Sequence, residues 1–490
     1  MSWLSRWSQH DRSRSLEGGG AKAGALIPRA GPPPTGREAR PDTRPAFRRL
    51  LANTGLLLGG RAVTVVLNLS YLALAARTLG PQPFGVLVLI NAFAQLLGEV
   101  VKFQSWQTVL QYGAGPLIEG RRGDLQRVVR FTLILDLAGS AAGVIIGVVV
   151  SLTLGDLLGW PEGVGGAAAV YALSVAFMVS ATPLGLLRLF NRFDILAGHS
   201  AVVSLVRLAG CAWAFLAHAS MGPLLGIWAA GTVAGFIYLG VAAWLQLRNR
   251  GLLEGFSWRG PLTAGMPGAW PFALATNVNA TLDVAFTHAV TLVVGTTLGP
   301  AQAGYWRVGR AVAGALAKPA RLLIPPLYPE LARLRVANRE GAMTRLALQV
   351  GALGGGAGLA LLAVTALAGK PLVVLVLGAA FAPAAKLMIW QVTAAAIGVL
   401  AQPLEPMLVT LRRPVAVLKV RAVVSVLFLA AIGPLVSHFG GQGAGAALVA
   451  ASAAMGLGML WMFLRDRSSR PPGCEAGAWE SPPGAVRGET

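Results

Sequence analysis

Between residues 53 and 464 the chain is a succession of apolar runs of about twenty residues, separated by short polar stretches bearing Gly and Pro. At about 1.5 Å rise per residue, a helix of that length crosses a hydrocarbon core roughly 30 Å thick. Runs such as AAGVIIGVVV (141–150) and GALGGGAGLALLAV (351–364) lack the two-residue alternation of barrel strands, so helices are expected to do the spanning. The pattern predicts twelve spans, near 53–76, 84–103, 128–153, 165–187, 198–218, 223–246, 272–296, 303–326, 345–368, 386–410, 414–436 and 442–464.

The pattern also repeats. TLGPQPFG at 78–85 returns 219 residues later as TLGPAQAG at 297–304, with Thr78/Thr297, Leu79/Leu298, Gly80/Gly299, Pro81/Pro300 and Gly85/Gly304 in register. That interval holds six spans, an even number, so the second half starts on the same side as the first, and the halves are parallel repeats about an axis along the membrane normal. Each corner is expected to be the hairpin between the first two helices of its half, Gly ending one helix and Pro opening the next. The predicted architecture is an all-α integral membrane protein of two parallel six-helix bundles around a central cavity. Residues 51–250 form the first bundle, 251–270 a cytoplasmic linker and 271–464 the second bundle. Residues 1–50 and 465–490, rich in Gly, Pro, Ser and Arg, read as disordered cytoplasmic tails.

Composition supports this: 55% of residues are hydrophobic, 12% charged, and mean hydropathy is +0.63, whereas soluble domains carry about 25% charged residues. A net charge of +21 would suggest nucleic acid in a soluble protein. Here the cations follow the membrane instead. The connections expected inside carry Arg121, Arg122, Arg127, Arg188, Arg192, Arg248, Arg250, Arg259, Arg333, Arg335, Arg339, Arg412 and Arg413, and the stretch after the last span adds Arg465, Arg467 and Arg470. Those expected outside, GDLLGWPEG, LAHASMGP and SHFGGQG, contain no Lys or Arg. The positive-inside rule therefore places both termini in the cytoplasm. Arg77 and Arg307, at the repeated corners, are the exceptions. Cys211 and Cys474 offer neither a disulfide framework nor zinc spacing.

Polar residues within the spans are the candidate chemistry. Arg61, Thr64, Asn68 and Tyr71 share one face of the first predicted helix, and Thr276, Asn279, Asp283, Thr287 and Thr291 one face of the seventh. Both stripes are expected to face a shared central space; for the Thr and Asn, interhelical bonding is the alternative. An ionisable group at mid-membrane costs from about 2.5 to more than 10 kcal/mol, so it faces a cavity or a partner. The candidates are Arg61, Asp136, Arg207, Asp283, His288, Arg310 and Glu405, whereas Lys102, Lys318, Arg321 and Arg421 lie near helix ends, where snorkelling is expected. Arg61, Arg207 and Arg310 would make a central cavity cationic and suit it to an anion, because guanidinium stays charged and binds phosphate bidentately. The alternative is that each pairs with Asp136, Asp283 or Glu405. Asp283, one turn from Asn279 and Thr287, could hold a coupling Na⁺ or carry H⁺, and equally has the surroundings of an Arg-paired aspartate. No nucleophile, metal or Walker-type motif is present, so neither catalysis nor a cofactor is expected.

Taken together, TLGPAQAGYWRVGRAV (297–312), PPLYPELARL (325–334) and VLVLGAAFAPAAKLMIW (374–390), with LGPQPFGVLVLINAFAQLL (79–97) and FQSWQTVLQYG (103–113), resemble the Wzx-type oligosaccharide flippases of the MOP superfamily. The resemblance runs from about 53 to 464. It implies a V of two six-helix bundles in the bacterial inner membrane, carrying polyprenyl-diphosphate-linked oligosaccharide from the inner to the outer leaflet by alternating access. Arg61, Arg207 and Arg310 would then grip the diphosphate, in a pathway making O-antigen, capsule or exopolysaccharide alongside a polymerase and glycosyltransferases. A multidrug exporter of the same superfamily would favour an acidic, aromatic cavity. A membrane polymerase or ligase would need a sizeable outer loop, and a non-transporting scaffold would need no cavity chemistry. Arg61→Ala and Arg310→Ala are each expected to abolish surface-polysaccharide complementation without loss of membrane insertion; full complementation by both contradicts a cationic cavity.

Overall fold

The computed structural model describes residues 63–284, 288–320, 324–337, 339–411 and 414–468, and the structured elements among them are all helical. The described residues belong to one compact unit, 43–490. The predicted tail 1–50, the predicted tail beyond 468, and the predicted first span before residue 63 lie outside them, while 465–468, expected in the second tail, are helical.

The first half contains α1 (Val63–Leu79), α2 (Pro81–Val101), α3 (Ser105–Ile118), α4 (Arg122–Thr153), α5 (Gly165–Ala172), α6 (Ala181–Leu189), α7 (Phe193–Leu216) and α8 (Met221–Asn249). The second contains α9 (Ala269–Val284), α10 (Val290–Leu298), α11 (Pro300–Ala320), α12 (Ile324–Val336), α13 (Glu340–Leu377), α14 (Ala384–Ala401), α15 (Leu404–Thr410) and α16 (Pro414–Ser468). Among the described residues, eight helical stretches are long and apolar enough to cross a membrane. The last is broken at Gly440 (φ 62°, ψ −149°) and serves for two spans. α1, α9 with α10, and α11 occupy the other predicted positions, so helix stands at each of the twelve.

The 219-residue interval recurs in the helix ends. It carries the end of α1 onto the end of α10, the start of α2 onto that of α11, and the start of α5 onto that of α14. It also carries the start of α8 onto the break at Gly440. α3, which follows the second span of the first half, was not expected as a separate helix.

The repeated corner has a local reason and a long-range one. Gly80 (φ 72°, ψ 175°) and Gly299 (φ 88°, ψ 166°) hold the same conformation, in a region only glycine occupies readily. Each is followed by a proline at the first helical position, where the missing N–H costs no bond. The second glycine serves the contact between halves. A Cβ on Gly85 would lie 1.8 Å from the carbonyl oxygen of Pro300, and one on Gly304 would lie 3.3 Å from that of Pro81 and 3.4 Å from Cα of Gly85. Equivalent residues therefore meet reciprocally where α2 crosses α11, and the pseudo-twofold axis runs between them.

Around this crossing the two halves share one apolar core, in which Phe84, Leu87 and Trp160 join Ala303, Val308, Phe381 and Ala384. Phe381 makes edge contacts with Phe84 (5.7 Å between centroids) and Tyr305 (5.8 Å), and Arg77 donates to the carbonyl of Leu375. This is the cation-poor end. At the end bearing the arginine-rich connections each half has its own core, one around Val109, Phe131 and Leu239 and the other around Leu331, Leu346 and Met407. The two halves thus share a core at the cation-poor end and keep separate cores towards the cation-rich end.

The predicted linker is bound to the first half. The buried Arg130 donates to the carbonyls of Ser257, Arg259 and Pro261, and Gln126 donates to those of Leu252 and Glu254 at 2.8 Å. Tyr112 donates to the Pro267 carbonyl and packs edge-on against Phe272, so the start of α9 also leans on the first half.

Gly85→Leu is expected to separate α2 from α11 and to lower the thermal midpoint of purified protein by several degrees, in line with overpacking costs of about 1–3 kcal/mol; an unchanged midpoint contradicts the close crossing. Arg130→Ala strands three backbone acceptors and is expected to open 251–268 to limited proteolysis while the helical content stays constant by circular dichroism.

Candidate functional site

Arg207 lies near the middle of α7 and is half-buried between α1 and α8. Gly231 of α8 makes room for it: a Cβ there would fall 2.7 Å from Arg207 Cγ. One guanidinium nitrogen donates to Thr232 Oγ1 (3.1 Å) and, more weakly, to the carbonyl of Trp228 (3.3 Å). The ring of Tyr71 lies 5.8 Å from the guanidinium carbon and that of Trp228 5.7 Å, the two rings standing edge to face at 6.2 Å. Such contacts stabilise a cation by about 0.5–2 kcal/mol. They leave the charge uncompensated, for Arg207 forms no ion pair among the described residues, and its Nε has no acceptor. An uncompensated cation at this depth is what an anion site requires.

The same region holds other predicted polar groups. Asn68 of α1 accepts a 3.3 Å bond from Ser204 of α7, one turn before Arg207. Thr64, also on α1, is half-buried. Tyr171 of α5 donates to Asn91 of α2 (2.9 Å), both buried. The interval of 219 residues makes Asn91 the equivalent of Arg310, so the repeated position carries a neutral amide in one half and a guanidinium in the other.

Arg310 lies midway along α11, half-buried, and makes no hydrogen bond or ion pair among the described residues; His288 and Arg307 are its charged or titratable neighbours. No contact joins Arg207 to Arg310. Arg61 and Thr287 lie outside the described residues, and Asn279 and Asp283 are described only as positions on the last turns of α9.

The other two carboxylates offered as Arg partners are engaged elsewhere. Glu405 pairs with Arg421 at 3.1 Å. Asp136 of α4 accepts the backbone N–H of Thr182 at 2.7 Å and so caps the first turn of α6. Lys102, expected to snorkel along with Arg421, is likewise paired, with Glu99 at 2.7 Å. Among the described residues no group of three or more His, Cys, Asp or Glu is placed to hold a metal ion. Sequence reasoning missed the Tyr71–Trp228–Thr232 frame of Arg207. Its parts are 157 and 161 residues apart, and the one sequence signal is Gly231, the gap that admits the long side chain beside Thr232.

No protein-family model matches the chain. The inner membrane protein YghQ of Escherichia coli strain K12 is 32% identical over 336 residues, which cover 68% of this chain and 94% of that protein. Among solved structures, the inward-facing conformation of a multidrug resistance MATE family transporter of the MOP superfamily aligns with a TM-score of 0.65 at 12% identity, over 83% of this chain and 95% of that one. The inward closed conformation of the lipid II flippase MurJ aligns with a TM-score of 0.62 at 13% identity, over 84% and 87%. The chain is therefore a multi-pass membrane protein that belongs to the family of the inner membrane protein YghQ and has the fold of the MOP superfamily transporters.

Proposed function

We propose that this protein is a transporter that flips polyprenyl-diphosphate-linked oligosaccharide from the inner to the outer leaflet of the cytoplasmic membrane, for surface polysaccharide synthesis. The observation that carries the reading is Arg207: a permanently charged group at mid-helix, held by aromatic faces and neutral acceptors, with no carboxylate paired to it among the described residues. Arg310, also free of an ion pair among the described residues, adds a cation from the second half. A diphosphate supplies the missing negative charge and takes bidentate hydrogen bonds from guanidinium. By the positive-inside rule the end at which the halves keep separate cores faces the cytoplasm, where such a lipid is made. The apolar outer faces, with Ile145, Val149, Trp244 and Trp461 exposed, suit lipid on the outside of the fold.

Transport then proceeds by alternation. The head group enters from the cytoplasmic side and neutralises the arginines, while the polyprenyl tail stays in the surrounding hydrocarbon. The contacts of the cation-poor end, among them Arg77 with Leu375 and Phe381 with Phe84 and Tyr305, part as the inner ends approach. Neutralisation favours the closed-over state because a bare guanidinium is costly once water is excluded.

Multidrug export is the second reading, favoured by the likeness to the MATE structure. It calls for accessible carboxylates to hold a cationic drug, and Glu405 is paired with Arg421 while Asp136 is buried within the first half.

The test is reconstitution of the full chain into proteoliposomes with a fluorescent polyprenyl-diphosphate saccharide, with flipping followed by quenching from outside. Arg207→Ala is expected to slow flipping at least about tenfold, the loss of one charge-assisted contact, with Arg207→Lys in between. Flipping by Arg207→Ala at the unmodified rate, or export of a cationic dye without lipid flipping, contradicts the proposal.

A further inference from the structure

A second polar cluster lies in the first half, apart from Arg207, where three helices break. α2 stops at Val101, α3 starts at Ser105, α6 starts at Ala181, and α4 passes all three with Asp136. Asp136 is 5% exposed, and Ser105 and Thr182 are fully buried. One carboxylate oxygen accepts the Thr182 N–H. The hydroxyls of Ser105 and Thr182 are the carboxylate's other close polar neighbours, but the second carboxylate oxygen and both hydroxyls lack a hydrogen bond of normal length and angle. The carbonyl of Val101 abuts Gly139, one turn from Asp136, where a Cβ would come within 2.4 Å of it.

Capping alone does not explain this arrangement. Asn or Ser caps a helix about as well as Asp without burying a full charge. Lys102, the cation nearby, is paired with Glu99 at 2.7 Å and makes no ion pair with Asp136. Nor does the repeated fold require the cluster. The equivalents of Asp136 and Ser105 at the 219-residue interval are Gly355 and Ile324, which offer neither carboxylate nor hydroxyl. One anionic oxygen among neutral hydroxyl and carbonyl oxygens suits a small, hard monovalent cation. Calcium takes six to eight oxygens and usually more carboxylates, and transition metals prefer imidazole or thiolate.

We propose that Asp136, Ser105 and Thr182 form a sodium site that ties the breaks of α2, α3 and α6 to α4. The site has a route to the moving parts of a transporter. Ser105 opens α3, and Tyr112, two turns further along α3, holds the Pro267 carbonyl and packs on Phe272 where the second half begins. Occupancy fixes the start of α3 and through it the seat of α9. The site is distinct from Asp283 and stands on its own geometry, independent of which substrate is carried.

The test uses the purified full chain in detergent, its unfolding midpoint followed in NaCl, KCl and choline chloride at matched ionic strength. Sodium is expected to raise the midpoint saturably, by preferential binding to the folded state. Asp136→Asn, which keeps an acceptor for the Thr182 N–H, is expected to abolish the rise, and Ser105→Ala to weaken half-saturation by about tenfold. Identical midpoints in the three salts overturn the proposal and leave the cluster a water-bridged cap. A sodium-independent midpoint together with proton uptake lost in Asp136→Asn overturns it in favour of a proton carrier. Should Asp136→Asn fail to fold, equilibrium binding of radioactive sodium to the unmodified chain and to Ser105→Ala decides between the same outcomes.

Discussion

The close crossing of α2 and α11 is the constraint on which the rest of the molecule depends. Two glycines 219 residues apart let two helix backbones meet where any side chain would hold them apart. Lipid supplies little hydrophobic force for helix association, so contact of this kind, with its dispersion and Cα–H···O gains, is what joins helices in a membrane. It fixes the pseudo-twofold axis, gathers one shared core at the cation-poor end and allows the opposite ends to keep separate cores.

On this symmetric frame the chemistry is asymmetric. Asn91 stands where the second half has Arg310, and Asp136 and Ser105 stand where it has Gly355 and Ile324. Arg207 is matched by Val426, an exposed apolar residue on α16. The halves thus share backbone geometry and differ in charge, as expected where the repeat supplies the motion and individual residues supply recognition. The linker is asymmetric too. Arg130 and Gln126 bind it to the first half, so the start of α9 moves with the bundle that precedes it.

The fold was legible from the sequence because its determinants are local and periodic. Apolar run length sets the spans, Gly-Pro pairs set the corners, and the repeat sets parallel halves; each depends on residues within a few turns of one another. The environment of each charge was less legible. The pairing of Lys102 with Glu99 was visible as an i, i+3 relation, but that of Arg421 with Glu405 spans two helices. The frame around Arg207 brings together residues 71, 207, 228 and 232, and Asp136 meets an N–H 46 residues away. Such contacts arise from which helix faces meet, and spacing along one helix does not encode them. In the polar stripe of the first helix, Asn68 is bonded within its own bundle, to Ser204.

The most direct measurement is the leaflet distribution of polyprenyl-linked saccharides in cells lacking this protein, made alongside surface polysaccharide. A flippase predicts accumulation of the lipid-linked pool on the cytoplasmic leaflet with loss of surface polymer, both restored by the unmodified gene. An unchanged pool, with normal polymer and raised sensitivity to cationic dyes, would contradict it.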